Sequence, residues 1–269
     1  LKEKKLLKES EGALVVDLND YDLGVALIQK TDGATLYMTR DLAAAIDRQK
    51  KYKFVKMIYE VGQEQKLHFK QLFKILELMG NSWAKNCVHV EHGLYLDTDK
   101  KKFATRKGKT VLMKEVLDKT ISLAKKEIQK RTKINKTELE KKALKIAIAS
   151  IFYGDLKNNR KNNVVFDLKR FVSFEGDAGP YILYSYARAS SIIRKDIPTK
   201  KFEVSELSNQ EIDLVIRLLN FEKVAAEAYS SLNPSLVANY SYQLAKSFNE
   251  FYHACPVIGS EEIAFRLAL

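Results

Sequence analysis

Tyr37 and Asp41 stand four residues apart in LYMTRDLAAAIDR (36–48). The pattern predicts a strand over Ala34–Met38 and a helix over Asp41–Gln49, and in α/β sheets ligands collect at the carboxyl ends of strands. Both side chains would then face one crevice. A carboxylate there suits a cationic ligand, above all a guanidinium held by paired hydrogen bonds. It also suits the positive end of the helix dipole, which is the commoner role when spacing alone is considered. In IYEVGQEQ (58–65) a second strand ends at Gly62, and Gln63, Glu64 and Gln65 start another helix. Glycine lets backbone approach a ligand closely. Glu64 can accept from ribose hydroxyls and Gln65 can read a polar ligand, although plain helix-end polarity explains both equally.

A third candidate is KFATRKGKT (102–110), where Thr105, Arg106 and Lys107 offer a hydroxyl and two cations ahead of Gly108. It has no G-x-x-x-x-G-K-[ST] pattern and so is no P-loop. Its place after one strand and before a helix suits either a phosphate grip or a solvated loop. Cys87-x-His89-x-x-His92 has metal-ligand residue types. Alternate strand residues face opposite sides, however, so Cys87 and His89 would point away from His92, and no metal site is expected. In FEGDAGPYILYSYARASSIIR (174–194), Tyr181, Tyr184 and Arg188 fall on one helical face. Aromatic rings beside arginine are what unstacked RNA bases stack on. A tyrosine-rich core stripe has the same spacing, and Tyr240 with Tyr242 on a later helix is ambiguous in the same way.

The elements that position these residues change character along the chain. Ala13–Asp17 and Lys56–Val61 are strand-like, Asp32-Gly33 signals a hairpin between Val25–Ile28 and Ala34–Met38, and residues 88–96 alternate as a strand. Phe69, Leu72, Phe73, Leu76 and Met79 share a helical face that Gly80 stops. From Met113 onward the pattern is helical. Thr137-x-x-Glu140 and Ser208-x-x-Glu211 read as capping boxes, Gly179-Pro180 and Asn233-Pro234 as helix openings, and Ser260-Glu261-Glu262 as the start of a last helix. The expected fold is α/β followed by all-α, with a parallel core sheet in the first half.

The 269 residues carry a net charge of +12, and residues 98–145 concentrate it, with seventeen Lys/Arg against six Asp/Glu. Such a band attracts polyanions. No apolar run is long enough for a membrane helix, and LKEKKLLKES is too charged for a signal peptide. Two distant cysteines suit reduced thiols in the cytoplasm. The start without Met and an end inside the helical pattern AFRLAL suggest part of a longer chain.

Together YMTRDLAAAIDR (37–48), VGQEQKLHFKQLFKILELMG (61–80), HVEHGL (89–94), FATRKGKTV (103–111), FEGDAGPYILYSYAR (174–188) and FYHACPV (251–257) resemble arginyl-tRNA synthetase of bacterial type, a class I aminoacyl-tRNA synthetase. The resemblance spans nearly the whole chain. It implies ATP-dependent ligation of L-arginine to tRNA(Arg) through arginyl-adenylate. The arginine pocket would be Tyr37, Asp41 and Gln65. Gly62 and Glu64 would lie near the ATP ribose, and His89 and Val90 near adenine. FATRK resembles the signature loop K-M-S-K-S, so Thr105, Arg106 and Lys107 would be its catalytic members. Phe103 replaces Met, Ala104 replaces Ser, and Thr105 holds the catalytic Lys position. Tyr181, Tyr184, Arg188 and Tyr240 would contact tRNA.

The resemblance also implies boundaries. Residues 1–112 would be the second half of a Rossmann-like catalytic domain. Residues 113–269 would be helical and tRNA-binding, with 113–150 as a junction and 151–269 as the anticodon-binding bundle. ATP would bring Mg2+; no tightly bound metal, no membrane and a monomeric full-length protein are expected. His92 stands where Phe is usual. No H-I-G-H motif occurs among His68, His89, His92 and His253; it should lie upstream, so the chain reads as a C-terminal half. The competing reading is a non-catalytic RNA-binding module with a synthetase-like fold.

Overall fold

A computed structural model describes residues 1–97, 99–101, 112–165, 176–194, 204 and 206–269. They form two compact units, Leu1–Leu94 and Tyr95–Leu269. Among the described residues no helix is long and apolar enough to cross a membrane.

The first unit opens with an antiparallel meander of β1 (Leu7–Ser10), β2 (Ala13–Asp17) and β3 (Val25–Gln29). In β3 alternation turns Ala26 and Ile28 inward and leaves Val25 and Leu27 exposed. The Asp32-Gly33 turn forms, with Gly33 at φ +80° and the Lys30 amide donating to the Ala34 carbonyl at 3.0 Å. The strand expected over Ala34–Met38 does not form. A single bridge joins Gln29 to Thr35, and α1 (Tyr37–Tyr52) starts at Tyr37 rather than Asp41. The reason is which residues become buried: Met38, Leu42 and Ala45 recur at helical spacing and face the core. Thr39 Oγ1 donates to the Ile28 carbonyl and ties the first turn of α1 to β3.

β4 (Met57–Gly62) and β5 (Cys87–His92) pair in parallel, in register from Met57 opposite Cys87 to Gly62 opposite His92. The connection between them is α2 (Lys66–Leu78), so β4-α2-β5 is a crossover unit. Phe69, Leu72, Ile75 and Leu76 of α2 pack with Val16, Leu18, Ile28, Met38 and Leu42 into one core. Gly80, at φ +90°, ends the helix as expected, its amide reaching the Glu77 carbonyl at 2.8 Å. Within the first unit the parallel sheet is thus the β4–β5 pair among the described residues, beside an antiparallel meander.

The strand expected over 88–96 is two strands. β5 ends at His92, and β6 (Tyr95–Leu96) pairs instead with β7 (Val164–Val165). Alternation persists across the break, so periodicity does not reveal the change of partner.

In the second unit α3 (Met113–Arg131) and α4 (Lys136–Leu156) form a helical hairpin, closed by Ala124, Ile128, Leu139 and Ala143. Asn135, not Thr137, caps α4: its side chain accepts from the Glu138 amide at 2.9 Å. An asparagine at N-cap serves as well as threonine, and the helix simply begins two residues earlier than the Thr137 signature suggests. Small buried residues of α4, namely Ala143, Ala147, Ser150 and Gly154, let α5 (Gly179–Ile193) come close. A Cβ on Gly179 would collide with the Ala149 carbonyl.

Then follow α6 (Asn209–Leu219), α7 (Phe221–Ser231), α8 (Ser235–Ala254) and α9 (Ile263–Ala268). The capping box of Ser208 and Glu211 is present. Buried Glu211 also accepts from Arg266 Nε at 2.7 Å, fastening α9 to α6. Phe251, Leu214, Cys255, Val257 and Leu267 complete this core.

Candidate functional site

The two sets of candidate residues fall in separate units. In the first unit, Tyr37 and Asp41 occupy the first turns of α1, one helical turn apart on the same face. Tyr37 is 79 % exposed. Asp41 Oδ2 lies 2.8 Å from His68 Nε2 of α2. Gln65 closes the short 3-10 turn Gln63–Gln65 and precedes His68 by three residues, a same-face spacing. The meeting of α1 and α2 therefore brings Asp41 to the start of α2, and Tyr37 and Gln65 are both exposed. His68 was not among the residues expected; its i+3 spacing from Gln65 was the available signal.

Gly62 ends β4 beside His92. A Cβ at Gly62 would meet His92 Cε1 at an ordinary 3.8 Å, so the chain's own packing does not demand glycine there. Glu64 is exposed in the following turn. His89 Nε2 donates to the Val61 carbonyl at 3.0 Å, and its ring stacks on Phe69 with centroids 4.5 Å apart. Val90 is buried, so what it can offer a ligand is main chain rather than side chain. Gly62 thus closes the parallel pair, while His89 and Val90 stand within it opposite Tyr59 and Glu60.

The Cys87/His89/His92 trio does not form a ligand set. Burial pushes the Cys87 thiol up to about 11, which keeps it protonated near neutral pH. His92 Nδ1 donates to the Gly93 carbonyl at 2.9 Å. Among the described residues no group of three or more His, Cys, Asp and Glu could hold a metal ion. Thr105, Arg106 and Lys107, with Phe103 and Ala104, lie outside the described residues.

In the second unit, Tyr181, Tyr184 and Arg188 of α5 line a groove of about 910 Å3 together with Lys246, Asn249 and His253 of α8. Asp177, just before α5, is held by Tyr153 and by Lys157 Nζ at 2.9 Å, which fixes the entry of the helix. The Arg188 guanidinium lies 4.7 Å from the Tyr184 ring centre and 4.4 Å from that of Tyr252. It also donates to the Tyr184 hydroxyl at 3.2 Å and to Asn249 Oδ1. Asn249 is buried and donates to Ser185 Oγ at 2.6 Å and the Ala245 carbonyl at 2.9 Å. The result is a guanidinium held close to two tyrosine rings and hydrogen-bonded to Tyr184 and Asn249.

Tyr181 packs against Tyr242, ring centres 5.6 Å apart. Tyr240 stands elsewhere: its hydroxyl donates to the Arg217 carbonyl at 2.8 Å and its ring meets Phe221. The structure thus gathers Tyr181, Tyr184 and Arg188 and leaves Tyr240 outside their groove. Asn249 and Tyr252 were not read from the sequence. Tyr252 does lie in FYHACPV (251–257), one of the strings carrying the resemblance.

Comparison with known proteins gives these features a family. Residues 1–168 match the model of the class I (R) tRNA synthetase catalytic domain, and residues 182–269 match the DALR anticodon binding domain. The arginine–tRNA ligase of Ligilactobacillus salivarius is 45 % identical over 273 residues, covering 100 % of this chain and 48 % of that protein. That of Clostridium botulinum is 45 % identical, covering 97 % and 46 %. Among solved structures, Thermus thermophilus arginyl-tRNA synthetase shares the fold with a TM-score of 0.84 at 23 % identity, covering 99 % of this chain and 52 % of its own. The Plasmodium falciparum arginyl-tRNA synthetase also reaches 0.84, at 25 % identity, covering 99 % and 46 %. The chain therefore belongs to the class I arginyl-tRNA synthetase family, and it spans about half the length of the curated relatives it matches.

Proposed function

We propose that the full-length protein containing this chain ligates L-arginine to tRNA(Arg) in two steps. The arginine carboxylate attacks the α-phosphorus of ATP, arginyl-adenylate forms and pyrophosphate leaves; a terminal ribose hydroxyl of the tRNA then takes the arginyl group and AMP departs. The observation that carries this reading is Asp41, a carboxylate held by His68 at 2.8 Å, in a chain whose relatives are named arginine–tRNA ligases. A carboxylate paired with a guanidinium fork selects arginine by geometry as well as charge.

Around that pocket, Gly62 and Glu64 receive the ATP ribose, while His89 and the main chain at Val90 flank adenine. Thr105, Arg106 and Lys107 act on the phosphates, as their signature-loop resemblance suggests. Mg2+ arrives with ATP as its phosphate counter-ion. Residues 1–112 serve amino-acid activation, 113–150 approach the tRNA backbone through the basic band, and 151–269 hold the anticodon. Tyr181, Tyr184 and Arg188 offer a stacking surface for unpaired bases. Tyr240 contributes the exposed part of a ring whose hydroxyl is already engaged. The protein works as a cytoplasmic monomer.

The test is arginine-dependent ATP–pyrophosphate exchange and tRNA arginylation by the full-length protein. Exchange is expected there and absent from the 269 residues alone, which contain no H-x-G-H sequence. RNA binding without exchange in the full-length protein would instead support a non-catalytic RNA-binding module.

A further inference from the structure

His68 lies in the first turn of α2, and its Nε2 is 2.8 Å from Asp41 Oδ2. Its ring stands perpendicular to that of Phe69, with centroids 5.2 Å apart. Its side chain is 22 % exposed and that of Asp41 39 %, so the pair sits at the surface rather than inside the core. We propose that His68 is a positioning residue for the arginine substrate: it holds the Asp41 carboxylate in the orientation that receives the guanidinium fork. This rests on the reading that Asp41 receives that group.

The hydrogen-bond inventory permits it. An ionised carboxylate offers about four acceptor directions. A bidentate guanidinium uses one on each oxygen. One N–H from His68 to Oδ2 leaves that oxygen a free direction and leaves Oδ1 entirely available. The fork is therefore not blocked.

The supporting frame is rigid on both sides. Met38, Leu42 and Ala45 of α1 and Phe69 and Leu72 of α2 are buried in one core. Phe69, the ring against which His68 rests, is 4 % exposed. The Asp41–His68 geometry is thus set by core packing, not by the two side chains alone. A carboxylate already oriented loses less freedom when substrate arrives. An imidazole also supplies its donor without a permanent positive charge, which a lysine there would place beside the incoming cation.

Three variants of the full-length protein separate the possibilities, each followed by arginine KM, ATP KM and kcat in pyrophosphate exchange. His68→Phe keeps a ring against Phe69 and removes the donor. His68→Gln keeps a donor and removes the ring. Asp41→Asn removes the charge that is positioned. If His68 orients Asp41, His68→Phe raises the arginine KM about tenfold while the ATP KM and kcat stay within about twofold. His68→Gln then stays within about threefold of the parent arginine KM.

The inference is overturned if His68→Phe leaves the arginine KM unchanged, if His68→Gln raises it as much, or if all three constants shift together. Thermal unfolding checks that each variant is folded; should His68→Phe not be, His68→Leu is the second donor-free variant. Asp41→Asn distinguishes the two levels of failure. An unchanged arginine KM in Asp41→Asn removes the pocket reading itself. A raised KM there with an unchanged KM in His68→Phe removes only the role of His68.

Discussion

The surroundings of Asp41 and of Arg188 use the same residue chemistry in opposite ways. In the first unit the Asp41 carboxylate accepts from His68, and Tyr37 and Gln65 are exposed. In the second unit a guanidinium is surrounded before any ligand arrives. Two tyrosine rings flank it, Tyr184 and Asn249 accept from it, and Asn249 is itself anchored to Ser185 and Ala245. Under the proposed function the difference reflects what each ligand requires. A guanidinium is recognised by one well-aimed charge, which must keep acceptor directions open. A nucleobase is recognised by a flat surface, which must stay flat and is made so by saturating its hydrogen bonds.

The strongest way to break this comparison is Asp41→Asn in the full-length protein. Loss of a directly paired charge is expected to lower kcat/KM for arginine about a hundredfold or more, with tRNA affinity unaltered. A parallel loss of tRNA affinity would mean that the two sites do not divide the work. Steady-state arginylation and a filter-binding assay on the same preparation decide it.

Glu211→Ala asks whether the second unit's groove depends on how its helices are fastened. Removing one partner of a buried pair leaves the Arg266 charge stranded, and a loss of about 3 kcal/mol in unfolding free energy is expected from denaturant titration. The acid dependence has a definite sign. Burial alone would raise the Glu211 carboxyl, but Arg266 and the Ser208 amide outweigh it and hold it below its ordinary value. The stabilisation is therefore present above the ordinary carboxylate pKa and is lost as pH falls through the lower folded value. The gap between parent and Glu211→Ala should close in strong acid; a gap that persists there would show that the effect is not the ion pair.

Tyr184→Ala removes one of the two rings beside Arg188. Base stacking is worth about 1–3 kcal/mol by such truncations, so tRNA affinity should fall about tenfold while arginine-dependent exchange is unchanged. Unaltered tRNA affinity would refute the groove as an RNA surface. Tyr240→Phe sharpens the boundary of that surface. Because its hydroxyl goes to the Arg217 carbonyl, the variant should lose about 1 kcal/mol of stability and leave tRNA affinity within about twofold. A larger drop in affinity would show that the Tyr240 hydroxyl, and not only its ring, serves RNA binding.

Much of the architecture was legible in the sequence because it depends on neighbours in the chain. The Ser208/Glu211 capping box, the stop at Gly80, the Gly179-Pro180 helix start and the β4-α2-β5 crossover are local patterns, and each is present. The misplaced elements have equally specific causes. ATLYM (34–38) is apolar enough for a strand, yet Met38 belongs to the helical stripe that continues through Leu42 and Ala45. Residues 88–96 alternate throughout, yet Tyr95–Leu96 leave β4's neighbour and join β7. Thr137 resembled a cap, but Asn135 took that position.

By itself the sequence determined which residue types stand at strand ends and helix starts, where positive charge accumulates, and which family the motifs resemble. Those properties are carried by short windows and by periodicity. Tertiary structure alone decided who touches whom: His68 with Asp41 across 27 residues, Asn249 with Arg188 across 61, and Tyr240 turned away toward Arg217. Such pairings arise when two helices are seated on a shared core, and the angle and depth of that seating follow from packed volume, which no spacing along the chain encodes.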